Sequence, residues 1–264
     1  MSNNFFENQV CHITARILVH FANGDSSIGT GFLHKEALPS KPDKSVILLV
    51  SNKHVFSDPT GNIQISFKVK SNKEEPVYDK LEHFCANDFS TIYHPHPDED
   101  VDLACVNISR IDERNIFYKY IYDSFLEPID FNRTPPGTDV IFVGYPENRY
   151  DTIHNLPIIR KGSIASVPSV DYNGRPQIVI DAQVFNGSSG SPVFVSIGGQ
   201  YRLLGVVSET MIRNAQLQTI TPGKSSEFIQ QILGLGLVIK QSKVLELISH
   251  TLDTITQRIT NANQ

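Results

Sequence analysis

Asn186-Gly187-Ser188-Ser189-Gly190-Ser191-Pro192-Val193 is a hydroxyl-rich turn between two apolar, strand-like runs. Glycines there let the backbone turn sharply and aim its amide hydrogens at one point. Acyl transfer needs that geometry, because a tetrahedral intermediate carries negative charge on the former carbonyl oxygen and converging N–H donors stabilise it. Ser189 fits as nucleophile, with the amides of Gly187 and Ser189 as the oxyanion donors. A serine hydroxyl is unreactive at neutral pH, so the chemistry also demands an imidazole base and an acid that orients it.

Two upstream segments meet that demand. His54 follows the apolar run at 46–50, in Ser51-Asn52-Lys53-His54-Val55, downstream of Gly29-Thr30-Gly31-Phe32-Leu33. Asp102 heads a second apolar run in Asp100-Val101-Asp102-Leu103-Ala104-Cys105-Val106. The turn and the histidine alone each have a plain alternative, a mere tight turn and a structural histidine after a strand, while Asp102 stands where an acid could be partly buried against an imidazole. Together they stand in the order His54, Asp102, Ser189.

With these three segments the chain resembles the chymotrypsin/trypsin superfamily, in particular the bacterial trypsin-like peptidases that include the Deg-type proteases. The likeness runs over roughly residues 17–248, with Lys53 standing where that family most often has alanine. It implies two antiparallel six-stranded β-barrels with a C-terminal helix, His54 and Asp102 on the first barrel, Ser189 on the second, and the active site in the cleft between them. It implies a serine endopeptidase acting on protein or peptide substrates, with no metal or organic cofactor. Leu204-Gly205-Val206-Val207-Ser208-Glu209-Thr210 resembles the strand that pairs with substrate and lines the specificity pocket, and 235–239 the last barrel strand. Ser208 is then expected to hydrogen-bond Asp102. The pocket is expected to be built from Gln183, Ser208, Glu209 and Thr210. Gln183, six residues before the nucleophile, does not support a simple Lys/Arg preference, although Asp181 on the same strand face, or an inward Glu209, leaves an acid within consideration. No Ile-Val-Gly-Gly-like start is present, so either the loop around Gly187 orders without a new amino terminus or another signal or partner orders it.

Short β-branched runs at 28–33, 46–50, 63–69, 101–106, 140–143, 158–164, 178–185, 192–197 and 203–207, punctuated by Gly, Pro, Asn, Asp and Ser, independently predict an all-β sandwich or barrel. The alternation Cys11, Ile13, Ala15, Ile17, Val19, Phe21 predicts a strand over 10–21. Val244, Ile248, Leu252, Ile255 and Ile259 recur at spacings of three and four, the stripe of a terminal amphipathic helix docked on the body. A polar stretch at 107–138, with Pro135-Pro136-Gly137, marks the crossing between halves. The expected division is 1–115, 116–240 and 241–264.

The chain has 264 residues, 23 Lys plus Arg against 28 Asp plus Glu, and a net charge of -5, which offers no basic footprint for nucleic acid. Three cysteines, Cys11, Cys85 and Cys105, form neither a disulfide framework nor a zinc pattern and suit a reducing compartment. No secretory leader or membrane span is read, so a cytoplasmic location is expected. The dense run His94-Pro95-His96-Pro97-Asp98-Glu99-Asp100 reads more readily as a loop leading to Asp102 than as a metal site. The nucleophile elbow of α/β-hydrolases is disfavoured, because Ser191 occupies its last glycine position, no Asp lies between Ser189 and the only later histidine, His250, and the βα alternation is missing. The rival of another class is a catalytically idle, or conditionally activated, protease-like module that binds a peptide, or an activating or recruiting protein.

Overall fold

The computed structural model describes residues 6–38, 41–217 and 227–261. The N-terminal body contains β1 (Thr14–His20), β2 (Ser26–Leu38), β3 (Lys41–Ser51), β4 (Asn62–Lys70), β5 (Pro76–Asn87), β6 (Tyr93–Pro95), β7 (Ala104–Asn107) and β8 (Ile116–Phe117). The C-terminal body contains β9 (Asp139–Gly144), β10 (Ile158–Ile164), β11 (Gln177–Asp181), β12 (Pro192–Ile197), β13 (Gln200–Leu217) and β14 (Glu227–Lys240). Three helices, α1 (Phe6–Ile13), α2 (Asp123–Leu126) and α3 (Gln241–Asn261), flank them.

The continuous apolar runs make sense once both faces of a strand are seen to be buried. On β3, Ile47 and Leu49 enter the interior of the first body, while Leu48 and Val50 face a different apolar cluster. β9 repeats the pattern in the second body, with Val140 and Phe142 inside the barrel and Ile141 and Val143 outside it. The outer residues of both strands meet in one shared cluster, which α3 seals with Val244, Leu247, Ile248 and Leu252. Cys105, also in that cluster, lies 3.3 Å from the Thr251 hydroxyl, and burial pushes its thiol up to about 12.

The second body is a closed six-stranded barrel in the order β10-β11-β14-β13-β12-β9. The first differs from the six-stranded barrel expected. It is an eight-stranded sheet, β5-β4-β1-β2-β3-β7-β6, with β8 added beside β4, and its ladder does not close. Its two end strands, β5 and β6, are consecutive in the chain. The intervening turn Phe89–Ile92 spans the seam, with buried Phe89 packed edge-on against Phe56 and Tyr93.

Three sequence expectations need correction. Residues up to Ile13 are helical rather than the start of a strand, because Val10 and Ile13, three apart, are the positions this segment buries, and the period of two begins only at Ala15. The chain leaves the first body later than residue 115, since β8 pairs with β4 and the Ile121 amide donates to Leu33 O at 2.8 Å. Strands β13 and β14 also run past the barrel as a paired ribbon, Ile212 opposite Ile232 and Leu217 opposite Glu227.

Candidate active site

β3 ends at Ser51, and the turn Lys53–Phe56 follows at once. Val55 and Phe56 bury themselves in the first body, which fixes the turn and leaves His54 facing out, with half of its side chain exposed. Asp102 is placed by the same logic, since Val101 and Leu103 on either side are buried and turn the carboxylate away from the interior. His54 Nδ1 lies 2.6 Å from Asp102 Oδ2, and the His54 amide donates to Asp102 Oδ1 at 3.1 Å. Burial, and then the Asp102 charge, push the Tyr93 phenol up to about 12.

The two preceding residues hold the same segment. Buried Asn52 donates through Nδ2 to the Asp102 carbonyl at 2.8 Å. Lys53 donates through Nζ to the carbonyls of Asp98 at 2.9 Å and Glu99 at 3.2 Å. The lysine that departs from the family pattern is therefore a tether between the histidine turn and the aspartate loop. His96 organises that loop from within, its Nδ1 accepting the Asp98 amide at 3.0 Å. Among the described residues no group of three or more His, Cys, Asp or Glu side chains is arranged to hold a metal ion.

Ser189 comes from the barrel, on the loop joining β11 to β12. Gly187 and Gly190 adopt φ of +83° and +85°, a conformation that side-chain-bearing residues rarely take. The loop is stapled to β13 by Gly190 N–H to Val207 O at 2.9 Å and Val207 N–H to Ser191 O at 3.0 Å. The Asn186 carbonyl accepts the Glu147 amide. In a trans peptide the N–H points opposite to the C=O, so that bond fixes the direction of the Gly187 N–H. Among the described residues neither the Gly187 nor the Ser189 amide has an acceptor, which leaves both available to a ligand oxygen.

His54 and Ser189 share one cleft of about 470 Å³, with Ser208, Glu209 and Thr210 in its wall. Phe185, Ile212 and Ile232 give it an apolar side, and Glu147 adds a second carboxylate beside Glu209. Gln183 is not in the wall. Its neighbours Ala182 and Val184 point into the barrel, so the alternation of the chain turns Gln183 to solvent. Ser208 does not reach Asp102 as expected. The register slips between Val207 and Glu209, which leaves Ser208 unpaired, and its hydroxyl donates to Leu237 O at 3.5 Å on β14. Thr210 donates to Val184 O at 2.9 Å. The Ser189 hydroxyl donates to Ser208 O at 3.3 Å.

Sequence reasoning missed Asn52, Lys53 and Thr30. The first two stood beside His54 in plain view, but their partners lie more than forty residues away in the chain. Thr30 is fully buried where the two bodies meet, its hydroxyl 2.9 Å from Gly187 O.

Residues 29–206 match the trypsin-like peptidase domain. The chain belongs to that family. No curated protein matches it. Among solved structures it is similar to the serine endoprotease of Yersinia pestis, with 19% identity and a TM-score of 0.50 over 94% of this chain and 67% of that one. It is also similar to an inactivated protease paralogue of the scabies mite, with 13% identity and a TM-score of 0.52 over 93% and 97% of the two chains. At these identities the likeness concerns the fold alone, and the second neighbour shows that this fold exists without the activity. Among the described residues of this family member no helix is long and apolar enough to cross a membrane.

Proposed function

We propose that the protein is a serine endopeptidase in which His54, Asp102 and Ser189 act as one unit on protein or peptide substrates. The N-terminal body supplies base and acid, and the barrel supplies nucleophile, oxyanion donors and pocket. The observation that carries this reading is the 2.6 Å contact of His54 with Asp102 on the wall of the cleft that also holds Ser189.

In this mechanism Ser189 Oγ attacks the substrate carbonyl carbon as its proton passes to His54 Nε2. Asp102 holds the ring with Nδ1 protonated and favours the imidazolium that forms. The amides of Gly187 and Ser189 stabilise the oxyanion. The C–N bond then breaks as His54 returns the proton to the leaving amine. Water, deprotonated by the same imidazole, cleaves the acyl ester and regenerates the Ser189 hydroxyl.

One observation favours a second reading, an idle or conditionally activated module. Ser189 spends its hydrogen bond on the Ser208 carbonyl rather than on His54. A fluorophosphonate probe separates the two. Covalent labelling that disappears in Ser189→Ala supports the peptidase, whereas folded protein that stays unlabelled, alone and with candidate activators, supports the binding module.

A further inference from the structure

Thr30 commits its hydroxyl and its amide across the boundary between the two bodies, and its carbonyl to Ser51 of its own body. Its hydroxyl accepts the Tyr145 amide at 3.0 Å and donates to Gly187 O at 2.9 Å. Its amide donates to Ser189 O at 2.9 Å, and its carbonyl accepts the Ser51 hydroxyl at 2.6 Å. The surroundings are closed tightly around this junction. A methyl group on Gly144 would collide with the Ser191 hydroxyl and stand 2.6 Å from Thr30 Oγ1, and one on Gly190 would overlap the Thr30 carbonyl.

These bonds bear on the oxyanion donors from both sides. The hydroxyl fixes the Gly187 carbonyl, and through the Tyr145 amide it also fixes the start of the segment 145–147, whose Glu147 amide holds Asn186 O. The Thr30 amide fixes the Ser189 carbonyl. The peptide units on either side of the Gly187 α-carbon, the first of which carries the Gly187 N–H, are therefore tied to one buried side chain and to the strand segment that side chain anchors.

We propose that Thr30 is a positioning residue that sets the oxyanion loop of Ser189 from the opposite body. The hydroxyl is the operative group: it links Tyr145 to Gly187 and so keeps the Gly187 and Ser189 amides converging on one point. This inference rests on the peptidase reading for its catalytic consequence, but the positioning itself is measurable without turnover.

The test compares Thr30→Val, which keeps the shape and removes the hydroxyl, with Thr30→Ser, which keeps the hydroxyl. In the full chain, Thr30→Val should lower kcat about tenfold to a hundredfold, below the loss from deleting an oxyanion donor outright. KM should stay within about threefold, and the pH profile should be unmoved, since no contact of Thr30 touches His54 or Asp102. Thr30→Ser should restore most of the rate. In amide spectra, Thr30→Val should shift residues 145–147 and 186–189 and speed exchange of the Tyr145 amide, while Thr30→Ser should not. Wild-type rate in Thr30→Val, equal losses in both variants, or superimposable Val and wild-type spectra at those positions would overturn the proposal. Wild-type protein that neither turns over nor labels would overturn the peptidase reading instead, and the amide spectra would still decide the positioning.

Discussion

Asp102 grips His54 twice, once at the ring through Oδ2 and once at the backbone amide through Oδ1. The carboxylate thus fixes both where the histidine sits and which ring nitrogen carries hydrogen, leaving Nε2 free to take a proton. Asp102→Asn should keep the fold and lower kcat by about 10⁴-fold, because a carboxamide cannot accept from both donors and selects the other tautomer. Peptide hydrolysis within tenfold of wild type would sink the triad assignment.

Lys53 adds a cationic donor to two loop carbonyls, a stronger bond than a neutral donor makes. Removing it in Lys53→Met should cost about 1 kcal/mol of stability or less, because the site is partly solvated. The expected catalytic effect is a several-fold drop in kcat/KM as the Asp102 loop gains freedom, with recovery in Lys53→Arg. Unchanged kcat/KM in Lys53→Met would show that Asn52 and Asp102 suffice.

Gly190 has no room for a side chain and holds a left-handed backbone. Gly190→Ala should therefore destabilise the protein by at least about 2 kcal/mol and displace Ser189 from the cleft. Chemical denaturation reads the first effect and fluorophosphonate labelling the second. A stable, fully reactive Gly190→Ala protein would contradict the packing described for the serine loop.

A half-buried imidazole, His12, and a buried one, His94, make stability depend on pH. Burial, then Lys119 and Lys68, hold His12 down at about 4, and burial, then Arg258 and His250, do the same to His94. In the unfolded chain both return to the ordinary value of 6.5 and take up protons first as the pH falls. Stability is therefore complete above about pH 6.5 and is lost progressively toward pH 4. The thermal midpoint should fall between pH 7 and pH 5, and His94→Gln should make that fall shallower. An equal or steeper fall in His94→Gln would remove His94 from the account.

Much of the fold is legible where burial dictates residue type. β3 and β9 announce themselves as unbroken apolar runs because each serves two interiors. β5 is silent for the opposite reason. Its residues Asp79 to Phe84 are mostly solvated on both faces, so no period of two marks it. The candidate site could be proposed from His54, Asp102 and Ser189, whose types and order carry chemistry locally, and the structure brings the first two within 2.6 Å and His54 and Ser189 to one cleft. Ser208 and Gln183 were placed by family resemblance, whereas a register slip turns the Ser208 hydroxyl toward Leu237 and the alternation of Ala182 and Val184 into the barrel leaves Gln183 in solvent. Thr30 could not be found, because its partners Tyr145 and Gly187 become neighbours only after the two bodies meet.

The apolar cluster beneath α3 belongs to neither body alone, while His54 stands on one body and Ser189 on the other. Alignment of the two side chains that the proposed mechanism joins is thus inherited from hydrophobic cohesion under the terminal helix. A lesion under the terminal helix, such as a truncated Leu247, can misalign the site without touching any residue that meets substrate.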